Sequence, residues 1–297
     1  MNRPVRFLTA LVRYRDVHYA KRLLARAAAN LRLVGGALGA RYLRIDPYRD
    51  FGGVPDGTCE RFEVGRQPAG FVRMNLAPYH LVLDEAADRV VVEAGCNEGY
   101  GAALLARRAR QVHAFDVSEA AIAAARRHYA RANVTFAVHD VSLPFPLADA
   151  SVDLVFSSET IEHLREGRGF IAAAARVLKP DGTLVIKTPN DAYNRLENRL
   201  NPFHTNPYDA RRLRAELEAA FERVAIEGIT YRTDLVTAPE DRPEPAPPEA
   251  RDYRFGDPIE VDRVLVTRMV VTPRCVAGNE VPEYLFARAS RPRAARP

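Results

Sequence analysis

The sequence predicts an α/β fold built on a doubly wound, mostly parallel sheet, and three stretches carry that expectation. The first is Val90-Val91-Val92, a β-branched run that reads as a buried strand. It breaks into Glu93-Ala94-Gly95-Cys96-Asn97-Glu98-Gly99-Tyr100-Gly101 and then into an Ala/Leu-rich helical segment. The second is a pair of later strand-like runs that each end in a carboxylate, Gln111–Asp116 and Val134–Asp140. The third is Arg176-Val177-Leu178-Lys179-Pro180-Asp181-Gly182-Thr183-Leu184-Val185-Ile186, which reads as a helix end, a turn and another buried strand. Strands alternating with helices give a parallel sheet with right-handed crossovers.

Composition sets the outer bounds. The chain has 297 residues, 47% apolar and 27% charged, an ordinary globular make-up. Its length suits one α/β domain of about 200 residues with extensions at both ends. It contains no apolar run of the roughly 18 residues that would suggest a transmembrane helix. The first residues, MNRPVRFLTALVRYRD, lack the apolar core of a signal peptide. Cys59, Cys96 and Cys275 are odd in number, far apart and without metal-ligand spacing, so a reduced, cytoplasmic compartment is expected. The net charge of +5 comes mostly from Arg spread along every helix, which reads as solvated surface and argues against a nucleic-acid partner.

In chain order, residues 1–60 are expected to form a helical arm and linker. Leu8, Leu11, Val12, Ala20, Leu23, Leu24, Ala27 and Leu31 recur at roughly helical spacing, and Gly35, Gly36 and Gly39 end the pattern. Such an arm suits a homodimer contact, a lid over a substrate or an amphipathic surface helix. The stretch from Ile45 to Gly70 is rich in turn dipeptides. A core of residues 61–230 follows, opening with a helix over Met74–Ala87 that carries Tyr79 and His80. Ser118 reads as the N-cap of a helix over Ala120–Ala130. Ala150–Ser158 is a fourth strand, Leu213–Phe221 a helix and Arg223–Gly228 a sixth strand. Residues 231–290 form an insertion and a closing strand: Asp234–Asp257 is too rich in Pro, Glu and Asp to bury much, Val261–Val271 is strand-like, and Tyr284–Ala289 is preferred as an antiparallel strand seven. Residues 291–297 are expected to be a disordered basic tail.

The loop spacing separates two cofactor classes. A dinucleotide fingerprint needs G-x-G-x-x-G, but here the glycines are Gly95, Gly99 and Gly101, with Asn97 where the second glycine would fall. That spacing disfavours an NAD-linked oxidoreductase. The pattern Glu93-x-Gly95-x-Asn97-x-Gly99 resembles motif I of class I S-adenosylmethionine (SAM)-dependent methyltransferases, usually E/D-x-G-x-G-x-G. The run Arg176–Ile186 resembles that family's "RVLKPGG-LVI" segment, and Leu143-Pro144-Phe145 its "LPF" turn. The resemblance covers about Val90 to Asn190 and resumes near Asn201. It implies a Rossmann-like seven-stranded sheet, mostly parallel with an antiparallel last strand, SAM as cofactor, and a small-molecule acceptor. It carries cofactor binding onto Glu93, Ala94, Gly95, Cys96, Asn97 and Gly99 of the loop. It adds Asp116 and Val117 after strand two, Asp140 and Val141 after strand three, and Ser157 in strand four. In this reading Glu93 lies near the methionine amine, Asp116 grips the ribose diol and Asp140 reads the adenine amine.

After strand four comes Glu159-Thr160-Ile161-Glu162-His163. On a helix, Glu159, Glu162 and His163 would share a face. This E-x-x-E-H string is similar to that of ubiquinone-biosynthesis O-methyltransferases and of small-RNA 3′-end 2′-O-methyltransferases. In the latter, the two Glu and the His bind a divalent metal together with a later His, and His204 in Asn201-Pro202-Phe203-His204 is such a residue here. Two mechanisms follow: His163 as general base, with Glu159 beside it, or Glu159, Glu162, His163 and His204 holding Mg²⁺ or a similar ion. The expected activity is O-methylation of a sugar, polyol or phenol hydroxyl. A catalytically inactive SAM-fold partner and an RNA 2′-O-methyltransferase are the alternatives.

Overall fold

The computed structural model describes residues 69–193, 198, 201, 203–231, 269–272 and 282–293. The chain divides into two compact units, Phe62–Asn194 with His204–Pro297 and Met1–Arg61 with Arg195–Phe203. The architecture below belongs to the first unit. The expected N-terminal arm, Asp234–Asp257, most of Val261–Val271 and residues 294–297 lie outside the described residues.

Helix α1 (Ala69–His80) leads into strand β1 (Val90–Ala94), followed by α2 (Tyr100–Leu105), β2 (Gln111–Asp116), α3 (Glu119–His128), β3 (Val134–Val138) and β4 (Val152–Ser158). A 3₁₀ turn at Ile161–His163 precedes α4 (Gly167–Val177), β5 (Leu178–Pro189), α5 (Ala210–Ala220), β6 (Phe221–Tyr231), β7 (Met269–Thr272) and β8 (Tyr284–Pro292). The strands lie in the order β3-β2-β1-β4-β5-β8-β6-β7. Strands β1 to β5 pair in parallel, and β8 slots antiparallel between β5 and β6. This is the expected doubly wound sheet with Tyr284–Ala289 as its antiparallel closing strand. Met269–Thr272, from the other strand-like run, adds a short edge paired antiparallel to β6.

Why β1 reads as an unbroken apolar run is visible in its burial. Val91 packs into the core on the face covered by α1, α2 and α3, with Leu105, Ile122 and Phe156. Val92 packs into the core on the opposite face, with Phe170 of α4 and Leu213 of α5. A strand with helices on both faces has no solvated side, so alternation disappears. The order reverses between β1 and β4, and ligand crevices of open α/β sheets lie at the carboxyl ends of strands at such a switch point.

Four local expectations change. The helix expected over Met74–Ala87 ends at His80, because Pro78 sits in its last turn and the chain continues through tight i→i−3 bonds, Leu81 N–H to Pro78 and Val82 N–H to Tyr79. Lys179-Pro180-Asp181-Gly182, expected as a turn, falls within β5 and is absorbed by a register shift against β4 between Val152 and Leu154. The tail expected from Arg291 begins later, since β8 runs to Pro292 and Arg293 N–H donates to the Ala220 carbonyl at 2.8 Å. Finally, Glu159 to His163 is no α-helix. Glu159 has φ 54° and only Ile161–His163 form a 3₁₀ turn, so Glu159 cannot share a helical face with Glu162 and His163.

Candidate active site

The crevice is lined on one side by the ends of β1 to β3. At the end of β1 the chain turns through Gly95 at φ +79°, where a Cβ would stand 2.2 Å from the Thr160 hydroxyl. Asn97 has φ 49°, a left-handed conformation that Asn tolerates better than most side chains. Asn97 thus does the backbone work of the glycine that it replaces. Gly95 and Cys96 N–H both donate to the Phe115 carbonyl at 2.8 and 2.9 Å, which pins the loop to the end of β2. Asp116 completes the seam. Its Oδ2 accepts from Asn97 N–H at 2.8 Å and its Oδ1 from Ser118 N–H at 2.9 Å. Ser118 caps α3 as expected, its hydroxyl accepting from Ala121 N–H. Ser157 and Thr160 hydroxyls both donate to the Ala94 carbonyl, tying β4 to the loop.

At the ends of β2 and β3 the surface changes character. Val117 is 57% and Leu143 54% exposed, while Val141 is buried. Asp140 is exposed and accepts from Ser142 N–H and its hydroxyl, at 2.9 and 2.6 Å. Large apolar side chains left in water next to carboxylates fit a flat, partly polar ligand.

The other side is built by β4 and β5. Glu159 N–H donates to the Lys187 carbonyl at 2.9 Å, and its carboxylate pairs with the Lys187 ammonium. Lys187 is 3% exposed and its Nζ lies 3.7 Å from the centre of the Tyr284 ring. Sequence reasoning passed over Lys187. The available signal was a single Lys near the end of a β-branched strand that is otherwise buried. Glu162 is 1% exposed, and its Oε2 accepts from the Thr188 hydroxyl at 2.9 Å. Its Oε1 has no hydrogen-bond partner among the described residues and lies 3.9 Å from His163 Nε2. Burial, followed by the neighbouring Glu159, pushes the Glu162 carboxyl up to about 8.

His204 returns to this turn from far along the chain. Asn190 and Tyr208 form a parallel bridge, and Asp191 N–H donates to the Tyr208 carbonyl, so the intervening segment leaves and re-enters at one place. Asn206 N–H donates to the Glu162 carbonyl at 2.9 Å and the Thr205 hydroxyl to the His163 carbonyl at 3.1 Å. The His163 and His204 rings stand edge to face, 5.0 Å between centres. Burial, with His163 adding to it, lowers His204 to about 3, so this imidazole is neutral at any ordinary pH. One ligand atom from each of Glu162, His163 and His204 lies within 4.8 Å of the others. Glu159, also expected in that set, is turned to Lys187 instead.

Comparison with known proteins bears on the fold and the domain type. Residues 92–186 match the family model described as a methyltransferase domain. The chain is 41% identical over 181 residues to the Mycobacterium tuberculosis protein named Probable S-adenosylmethionine-dependent methyltransferase Rv3030, covering 60% of this chain and 62% of that one. It is 40% identical over 144 residues to a Mycolicibacterium smegmatis protein with a similar name, covering 48% and 55%. An Alkalilimnicola ehrlichii ubiquinone biosynthesis O-methyltransferase is 32% identical over 105 residues, 34% of this chain and 42% of that one. The chain therefore spans 55 to 62% of the length of its mycobacterial relatives. In fold it resembles a chain of the complex between the Trm112 methyltransferase activator and a methyltransferase of Haloferax volcanii, with 18% identity, TM-score 0.55 and coverage of 78% and 96%. The SAM-dependent methyltransferase of Mesorhizobium loti gives 16%, 0.50, 78% and 100%. Residues 92–186 thus match a methyltransferase domain, and the fold around them is that of class I SAM-dependent methyltransferases.

Proposed function

We propose that the protein transfers the methyl group of SAM to a hydroxyl oxygen of a small molecule, a sugar, polyol or phenol. The observation that carries this reading is the meeting of Glu162, His163 and His204 at the ends of β4 and β5, across the crevice from the family's cofactor loop. SAM supplies an electrophilic methyl on a sulfonium sulfur. The residues on the loop side fit it. Glu93 has a buried oxygen, unpartnered among the described residues, for the amine; Asp116 holds a carboxylate at the ribose position, and Val117, Asp140 and Val141 border the adenine position. His163 removes the acceptor's hydroxyl proton as the oxygen attacks. One C–S bond breaks, one O–C bond forms, and the proton resides on the imidazole until solvent takes it. His204, held neutral, accepts a hydrogen bond from the acceptor hydroxyl without adding a competing charge.

The 4.8 Å grouping supports a second reading, with a divalent ion held by Glu162, His163 and His204. The donor set fits. A neutral His204 imidazole, a second imidazole from His163 and the buried Glu162 carboxyl are donors that a cation at this point would use, and it would lower the acceptor hydroxyl's pKa. Mixed N and O donors suit Mn²⁺ or Fe²⁺ better than Mg²⁺.

Labelled SAM incubated with a metabolite extract tests both readings. Methyl incorporation that His163→Ala reduces by about 10²–10⁴-fold while EDTA leaves it intact supports the base. Loss in EDTA, restored by Mn²⁺ or Mg²⁺, supports the metal. Near-normal turnover in both His163→Ala and His204→Ala would sink both, leaving proximity alone.

A further inference from the structure

Glu93 is 1% exposed, yet its carboxyl is only half satisfied. The Tyr79 hydroxyl donates to Oε1 at 2.6 Å. Oε2 is buried and has no hydrogen-bond partner among the described residues. Tyr79 is fixed in turn by the Phe156 ring, edge-on at 4.8 Å, and by Tyr100 at 6.2 Å. The loop presses on the pair. A Cβ at Gly101 would stand 2.3 Å from Glu93 Oε1 and 2.2 Å from the Tyr79 ring, so only glycine leaves them room.

A buried carboxylate with an unfilled oxygen is costly, and two things relieve it: a proton or a cation. The titratable groups that act on Glu93 are Tyr79 from α1, Cys96 from the loop, Tyr100 from the start of α2 and Asp116 from the end of β2. None of these is a cation, and Asp116 repels. Burial raises the Glu93 carboxyl most; the Tyr79 bond opposes it, Asp116 adds to it, and the Ala102 N–H opposes it. The result is about 8. Burial likewise raises the Tyr79 hydroxyl well above its ordinary value, so Tyr79 stays a donor throughout.

We propose that cofactor binding is proton-linked through Glu93. The carboxyl is neutral in the free protein, the ligand's ammonium displaces its proton, and Tyr79 positions the carboxylate that results. The inference rests on the reading of Glu93 as the amine's partner. The O–H bond at Glu93 breaks, its proton passes to the buffer, and an N–H···O bond from the ligand's ammonium replaces it, with no electron transferred. Because the free carboxyl holds its proton up to about pH 8, affinity rises with pH below that value.

The test is calorimetric titration of S-adenosylhomocysteine into the full chain between pH 6 and 7, where the ligand's amine stays charged, in two buffers of different ionisation enthalpy. A group titrating near 8 is about 90% protonated at pH 7, so about 0.9 proton should be released per ligand. Affinity should climb toward tenfold per pH unit. Tyr79→Phe should weaken binding several-fold at pH 7 and move the affinity curve to higher pH, whereas lost packing alone would weaken it equally at every pH. Glu93→Gln should bind without proton release and without pH dependence. Binding to wild type with no proton exchange overturns the inference. So does release that persists in Glu93→Gln, which would assign the proton to the ligand's amine. If Glu93→Gln fails to fold, the wild-type proton count and Tyr79→Phe decide. Absence of binding at any pH would instead remove the methyltransferase reading itself.

Discussion

The two sides of the crevice are both lined by strand-end carboxylates, yet they are assembled differently. On the β1–β3 side the partners are close in sequence: Asp116 with Ser118 and Asp140 with Ser142, each two residues apart, and Asp116 with Asn97 at nineteen. On the β4–β5 side Glu162 meets Thr188 across 26 residues, and His163 meets Thr205 across 42. Charge differs too. Asp116 is part-buried and its two oxygens accept backbone N–H groups, the arrangement that stabilises an ionised carboxylate. Glu162 is buried beside another acid and held protonated. On the proposed reading, the first side is preset for a cofactor of fixed shape. The second is a high-energy arrangement of buried polar groups, which is where catalytic chemistry tends to be found.

The sharpest way to break this comparison is Asp116→Ala. It removes one bond to the loop at Asn97 and one to Ser118 before α3, each contributing about 1.5–3 kcal/mol, along with the proposed ribose contact. S-adenosylhomocysteine affinity should fall by at least about 100-fold, measured by calorimetry, while His163→Ala should leave it within about twofold. Equal losses from both variants would mean that the two sides are not functionally separate.

The same contrast decides what the sequence made legible. Strand-end acids and the loop follow from hydrophobic runs and residue spacing, and Asn97 fitted despite breaking the glycine pattern because its left-handed φ is one that Asn adopts. The doubly wound sheet and its antiparallel closing strand were readable for the same reason. The E-x-x-E-H string is visible in the sequence but its geometry is not. Periodicity suggested a helix, whereas the chain takes a left-handed step at Glu159 and a 3₁₀ turn. Lys187 was invisible because its partners, Glu159 and Tyr284, come from other strand ends, and the pairing exists only once the sheet has formed. The approach of His204 follows from the resemblance to the small-RNA enzymes, whereas the Asn206 and Thr205 bonds that secure it have no signal in the sequence.

A second, smaller effect sharpens the electrostatic difference. Glu162 titrates near 8 in the folded chain and near 4.5 when unfolded. A carboxyl raised by folding binds its proton more tightly in the native state, so stability is greatest below the unfolded value and is lost as pH rises from about 4.5 through about 8. His204, near 6.5 when unfolded and about 3 when folded, works in the opposite direction below about pH 6.5, so urea midpoints should fall chiefly between about pH 6.5 and 8. Glu162→Gln should flatten much of the slope, the remainder reflecting Glu93, which is raised in the same way. A wild-type midpoint that rises between about pH 7 and 8 would contradict the buried, protonated state of both groups.

The smallest effect tests how the distant histidine is held. Tyr208 is fully buried four residues beyond His204, its hydroxyl accepting from Asn206 Nδ2 at 3.0 Å and donating to Glu216 Oε2 at 2.8 Å. Arg212 lies over the ring at 4.5 Å and pairs with Glu216 at 3.1 Å. Tyr208→Phe keeps the ring, and Glu216 keeps Arg212, so the cost should be only about 1 kcal/mol in urea unfolding. Asn206 is the link that matters, because it ties this network to the Glu162 carbonyl. If Tyr208 acts by placing His204, Tyr208→Phe should reduce methyl incorporation several-fold in wild type and add almost nothing in a His204→Ala background. Losses that multiply instead would assign Tyr208 to stability alone and would detach the Asn206 network from the reacting side of the crevice.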